Sequence, residues 1–336
     1  MIKKALISIV ILLLIGFGIY KIFFNGETIK DKIENISGSL NSYKLEANME
    51  LTNGEEKRNF NVVVLYSKDE GSDLFRVSLV DTSINQEQIL LRNKEGVYVL
   101  TPSLNKAHKF NSSWPLNSAK PYIYQSLLEV FDGDYKIEKL EEGFIVTSEI
   151  TYKNSPLYTK QEIMFSSDLK PVWVNLYNDK DEVVVRINFT NVEINNEIEK
   201  SLFEVKQSIE DSRENISDED SVSGSVDLPY MLTGSDMNIS LKDSVVANVD
   251  NEQLHMLVYS GDNDFTVIEK VSDEYDDIKI IETSADIVLT INGFAMLESN
   301  KVSYDYNGVE ITIYGDSLDV ATYLNIVNGM EVSANK

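Results

Sequence analysis

The chain has 336 residues, 43% of them hydrophobic, and carries 55 acidic against 30 basic side chains, a formal net charge of -25. That length suits about two domains plus extensions, and the hydrophobic fraction supports a packed core. The acidic excess repels phosphate backbones and excludes nucleic acid as a partner class; the lack of cysteine removes disulfides, thiolate metal sites and cysteine nucleophiles.

Lys3 and Lys4 precede a run from Ala5 to Phe24 in which Lys21 is the only charge. A membrane-spanning helix needs about 20 mostly apolar residues, and Lys21 near the end can reach the headgroups. Basic residues before the run and an acidic body after it place the N-terminus inside and the body outside. No small-residue cleavage site follows. The expectation is an uncleaved anchor over residues 1–26: a single span in the cell membrane, with the body on the extracytoplasmic side.

Ile29, Ile33, Ile36 and Leu40 recur at helical spacing and predict an amphipathic helix over 28–40. From Lys44 to Leu51 apolar and polar residues alternate, which predicts a strand with one wet face. Asn53-Gly54 marks a hairpin turn, and "NFNVVVLYS" returns. Further strands are expected at 74–80, 87–92, 96–101, 143–150, 160–166, 171–177 and 183–193, forming a meandering antiparallel sheet. Around 169–189 apolar residues fall on both faces, with Trp173 and Tyr177 on one and Val172, Val174 and Leu176 on the other; something besides water must cover the second.

A helix is expected from Pro121 to Phe131, presenting Ile123, Leu127, Leu128 and Phe131. Residues 207–226 are acidic, Ser-rich and poor in aromatics, which is linker composition. A smaller α+β domain then runs over 227–336, with strands at 237–249, 253–259, 264–270, 286–291, 294–298, 301–306 and 309–314. Its final helix has Ser317 as expected N-cap and Gly329 as stop.

Little in the chain points to chemistry. His108 lies between lysines and reads as a surface loop residue, His255 as a strand residue among apolar neighbours. Asp132-Gly133-Asp134 reads as a turn, and "SDEYDDIK" at 272–279 as a solvated acidic loop without the oxygen spacing of a calcium site. Phosphate-cradling loops, zinc motifs and nucleophile elbows are not seen. The reading is therefore not an enzyme, with no catalytic residue, no cofactor and no metal.

"GVYVLTPSLNKAHKF" resembles a strand–turn–strand of the LolA/RseB-like superfamily, the outer-membrane lipoprotein carriers and their relatives. Leu169-Lys170-Pro171, Asp179-Lys180-Asp181 and Asn196 to Phe203 resemble its closing segment. The chain resembles in particular the Gram-positive sporulation and germination lipoprotein type (GerS-like), and the C-terminal part is similar to a DUF4367-like domain. Two departures stand out: no cysteine is available for acylation, and Tyr98 occupies the place of a strand tryptophan.

The resemblance implies an α+β fold: a curved antiparallel half-barrel over 27–206 with helices 28–40 and 121–131 across its inner side. It implies an apolar space there, lined by Leu45, Ala47, Met49, Val62, Val64, Phe75, Val77, Leu79, Ile123, Leu127 and Phe131, unless helix side chains fill it. The function expected is a non-catalytic, membrane-anchored envelope protein of sporulation or germination that binds a protein partner. The alternatives are a carrier of lipid or lipoprotein acyl chains and an RseB-like envelope-stress sensor. Exposed edge strands leave a homodimer open.

Overall fold

The computed structural model describes residues 28–111, 117–215, 228–233, 237–250 and 252–332. The expected membrane span at 1–26 lies outside them, as does 216–226 of the expected linker. Among the described residues no helix is long and apolar enough to cross a membrane. Residues 1–40 and 41–336 form two compact units.

The described part of the first unit is one helix, α1 (Ile29–Ser39). Thr28 caps it: its hydroxyl oxygen accepts from the Asp31 N–H, and the Asp31 carboxylate accepts from the Thr28 N–H at 2.9 Å. The Thr28 hydrogen bonds hold the Asp31 carboxyl below its ordinary range. No residue of the helix is buried, and Ile29, Ile33 and Ile36 are only half-buried. The helix expected over 28–40 is thus present, with its three isoleucines spaced along one side.

The second unit opens with six strands: β1 (Ser42–Asn53), β2 (Glu56–Asp69), β3 (Ser72–Asp81), β4 (Gln86–Asn93), β5 (Gly96–Thr101) and β6 (Lys106–Phe110). After the short helix α2 (Tyr124–Leu128) come β7 (Lys136–Leu140), β8 (Gly143–Glu149), β9 (Lys160–Ser166), β10 (Pro171–Tyr177) and β11 (Val183–Ile194), then helix α3 (Val205–Asn215). The C-terminal part adds β12 (Tyr230–Leu232), β13 (Ile239–Val249), β14 (Glu252–Gly261), β15 (Phe265–Val271), β16 (Lys279–Thr283), β17 (Asp286–Thr290), β18 (Gly293–Leu297), β19 (Lys301–Tyr306) and β20 (Val309–Tyr314). Helix α4 (Val320–Asn328) and β21 (Met330–Val332) close it.

Twelve strands form one open, curved sheet in the order β16-β6-β5-β4-β3-β2-β1-β11-β10-β9-β8-β7. Consecutive strands pair antiparallel as the hairpin signals predict, and β11 returns to pair with β1. The exception is β16, which comes from the C-terminal part and pairs parallel with β6, Lys279 opposite Lys106. Seven C-terminal strands form a second sheet, β13-β14-β15-β20-β19-β18-β17.

The period of two fixes the register. Leu45 lies opposite Val64 and Ala47 opposite Val62, and those lie opposite Val77 and Leu79. All are buried on one face, here called inner. On the outer face Leu65, Ile89, Leu91, Tyr98 and Leu100 form a separate core with Phe203 and Ile209. Residues 207–215 are thus helix rather than linker: Ser208, Ile209 and Ser212 are buried, and the Ser212 hydroxyl donates to the Glu87 carboxylate.

Two local expectations are revised. A register shift between Pro171 and Trp173 puts Val172 out of step with Val174 and Leu176, so it is 39% exposed while they are buried. Asp319, not Ser317, caps the last helix, its carboxylate accepting from the Thr322 N–H at 2.8 Å. Asp319→Ala should therefore cost about 1 kcal/mol, measured as a small fall in the urea midpoint, whereas Ser317→Ala should leave it in place.

Candidate functional site

Eight of the eleven residues expected to line the hollow lie on one face of the sheet. Leu45, Ala47, Met49, Val62, Val64, Phe75, Val77 and Leu79 share the inner face of β1–β3, and Ile123 and Leu127 come from the α2 segment; all ten are buried, and Phe131 is half-buried. Rings bridge the two layers. Tyr43 meets Tyr124 edge-on at 5.8 Å between centroids and donates its hydroxyl to the Gln125 Oε1 at 2.7 Å. Tyr43 also stacks on Tyr66 at 5.0 Å, and Phe131 packs on Phe165 at 5.6 Å. Centroid separations of this size are those of rings in direct contact.

The inner face of β4–β6 mixes buried apolar residues such as Leu90, Val97 and Val99 with Gln86, Gln88 and Lys106, and the C-terminal part meets the polar ones. The Gln88 Oε1 accepts from the Phe294 N–H at 2.7 Å, and the Gln86 Oε1 accepts from the Asn307 N–H at 2.8 Å. Lys106 and Asp305 are each 3% exposed in their side chains, and the ammonium lies 3.0 Å from the Asp305 Oδ2 and 3.0 Å from the Glu310 Oε2. The Ser272 hydroxyl donates to the same aspartate at 2.9 Å. Burial alone would depress the Lys106 pKa, but Asp305 and Glu310 more than offset it, so the ammonium stays charged. The α2 segment and the C-terminal part thus both meet the inner face, the latter supplying backbone N–H groups to Gln86 and Gln88 and carboxylates to Lys106.

His108 is not the surface residue its lysine neighbours suggest. It is buried on β6, and burial, aided by the Lys106 charge, pushes its pKa down to about 4. His255 is half-buried on β14, as a strand residue should be. Residues 272–278 are loop, tied back where the Tyr275 N–H donates to the Leu104 carbonyl at 3.1 Å. No group of three or more metal-ligating side chains occurs among the described residues.

One surface stands out that alternation does not single out. Among the described residues strand β13 is the edge of the second sheet, paired with β14 alone. It exposes four large apolar side chains: Leu241 37%, Val245 44%, Val246 51% and Val249 49%. An edge of eleven residues with unpaired backbone and exposed valines is a template for another strand. The sequence signal was available, since "SVVANV" is β-branched yet lacks a polar face, but reading it as an interaction edge requires the sheet order.

The family described as "Sporulation protein YdcC-like" matches over residues 2–203. The Sporulation protein YdcC of Bacillus subtilis (strain 168) is 26% identical over 312 residues, 88% of this chain and 87% of that protein. Among solved structures, the Pseudomonas aeruginosa MucA/MucB complex is similar at 12% identity, covering 90% of this chain and 98% of that one with a TM-score of 0.31. A putative outer membrane lipoprotein-sorting protein domain from Vibrio parahaemolyticus is similar at 14% identity, 55% and 98% coverage and a TM-score of 0.32. The Clostridioides difficile CwlD amidase in complex with the GerS lipoprotein gives 12% identity, 52% and 98% coverage and a TM-score of 0.21.

Proposed function

The chain belongs to the YdcC-like family of sporulation proteins, and from that premise we propose that it is a non-catalytic docking protein of the cell envelope. A single N-terminal span at residues 1–26 holds the body outside the membrane, where it engages an extended segment of a protein partner. The observation that carries this reading is the β13 edge, with its unpaired backbone and four exposed apolar side chains. The ring contacts across the inner face favour docking over acyl-chain carriage, because those rings occupy space that a lipid tail needs.

A photo-crosslinker at Val246 of the full chain, installed in sporulating cells, should yield one adduct of defined mass. The same probe at Val172, an exposed valine of the other sheet, should not. Val245→Lys should abolish the adduct without lowering the melting temperature. No adduct at position 246, or co-purified acyl lipid at one per chain by native mass spectrometry, would overturn docking in favour of the carrier. Removing residues 1–26 should move the chain from the membrane pellet to the supernatant; a deletion that stays in the pellet would remove the anchor from the proposal.

A further inference from the structure

The outer face of the large sheet is covered over β4–β6 but open over β1, the adjoining end of β2, β10 and β11, and there amides stand beside one acid and one base, Glu50 and Arg186. Across neighbouring strands Trp173, Asn188, Asn48 and Asn61 lie directly opposite one another in one row. Asn175, Arg186, Glu50 and Asn59 form the next. Neighbours in a row are about 4.8 Å apart and the rows about 7 Å apart. Asn48, Asn59, Asn61, Arg186 and Asn188 are exposed and line a shallow groove of about 370 Å³.

These side chains have no structural task. None of the four asparagines nor Arg186 hydrogen-bonds through its side chain to another described residue. Asparagine is poorly suited to strand interiors, yet Asn48 and Asn61 sit in the central strands of a twelve-stranded sheet. Local choices that oppose the fold mark functional positions. Each amide offers two donors and one acceptor with no net charge. A two-dimensional array of such groups matches a ligand that carries hydroxyls and amides on rigid rings. Trp173, half-buried and next to Asn188 at the end of the first row, puts an aromatic side chain beside the groove, the residue type against which the C–H face of a sugar ring packs. The groove is mid-sheet, so it offers no free backbone edge to a peptide strand.

We infer that this outer face binds an N-acetylated glycan chain, the amides reading its hydroxyl and acetamido groups and Trp173 packing against a ring. The site is separate from the β13 edge and stands or falls independently of it.

The full chain, titrated calorimetrically with the β-1,4-linked hexasaccharide of N-acetylglucosamine, should bind saturably, and cellohexaose, which has the hydroxyls without the acetamido groups, should bind at least tenfold more weakly. The double variant Asn48→Leu/Asn188→Leu changes only exposed side chains, and circular dichroism checks its fold. Losing two net hydrogen bonds should weaken binding about tenfold or more, while Val271→Lys, at an exposed position of the second sheet, leaves it unchanged. Absence of saturable binding, equal affinity for cellohexaose, wild-type affinity in the double variant, or tighter binding of an uncharged extended peptide than of the hexasaccharide would each overturn the assignment.

Discussion

Lys106→Met is expected to lower the stability of the full chain by about 3–5 kcal/mol, the cost of leaving a buried charge without its partner. The lysine sits at 3% exposure between Asp305, 199 residues further along the chain, and Glu310. Without it Asp305 keeps one hydroxyl donor, Ser272, which cannot balance a full negative charge in a dry interface. Glu310 is a third exposed and can turn to water. The compensating change is Asp305→Leu: a buried ion pair replaced by apolar side chains is often neutral, so the double variant should recover more than half of the loss. Urea unfolding followed by circular dichroism reads both. A double variant no more stable than Lys106→Met alone would mean that packing, not charge, holds the C-terminal strands against β6.

That junction also marks the limit of what the sequence discloses. The alternation of Leu45, Ala47, Met49 and Leu51 has one physical cause, a strand with one buried face, so β1 and its neighbours are readable directly, as are the four hairpin strands from 286 to 314. The inner set that includes Val62, Val64 and Val77 follows from the same period. Lys106 has no such signal. Asn105, His108 and Lys109 around it are polar, and the acids that make its burial tolerable arrive only with the fold; the surface reading of His108 fails for the same reason. Helix α3 fails differently. Its buried positions include Ser208 and Ser212, small polar residues that a linker would also use, and only the outer core around Phe203 distinguishes the two. Strand β16 is five residues long, exposes Ile280, and exists because β6 offers an edge. The amide rows of the outer face need register across four strands, which no single stretch of sequence contains.

Glu269→Gln should make the chain more stable, and increasingly so as pH rises. Glu269 lies on β15 at 0% exposure, beside Ile311 and in line with Tyr304. One carboxyl oxygen accepts from the Tyr230 N–H at 3.0 Å, and the other has no partner. Burial pushes its pKa up from 4.5 to about 8, with the single backbone hydrogen bond opposing only in part. The folded state therefore holds a proton that the unfolded state has released throughout the window between those two values. Stability from this group is full below about pH 4.5 and is lost progressively up to about pH 8. It does not fall further above that. The total amounts to roughly 4–5 kcal/mol at 1.36 kcal/mol per pKa unit. Glutamine keeps the acceptor for Tyr230 and adds a neutral N–H₂. Wild type and variant should have similar unfolding free energies at pH 5 and diverge by several kcal/mol at pH 8.5, with the variant the more stable. Parallel curves across that range would show that Glu269 is hydrated and ionised in the folded chain, and the second sheet would then have to admit water to its centre.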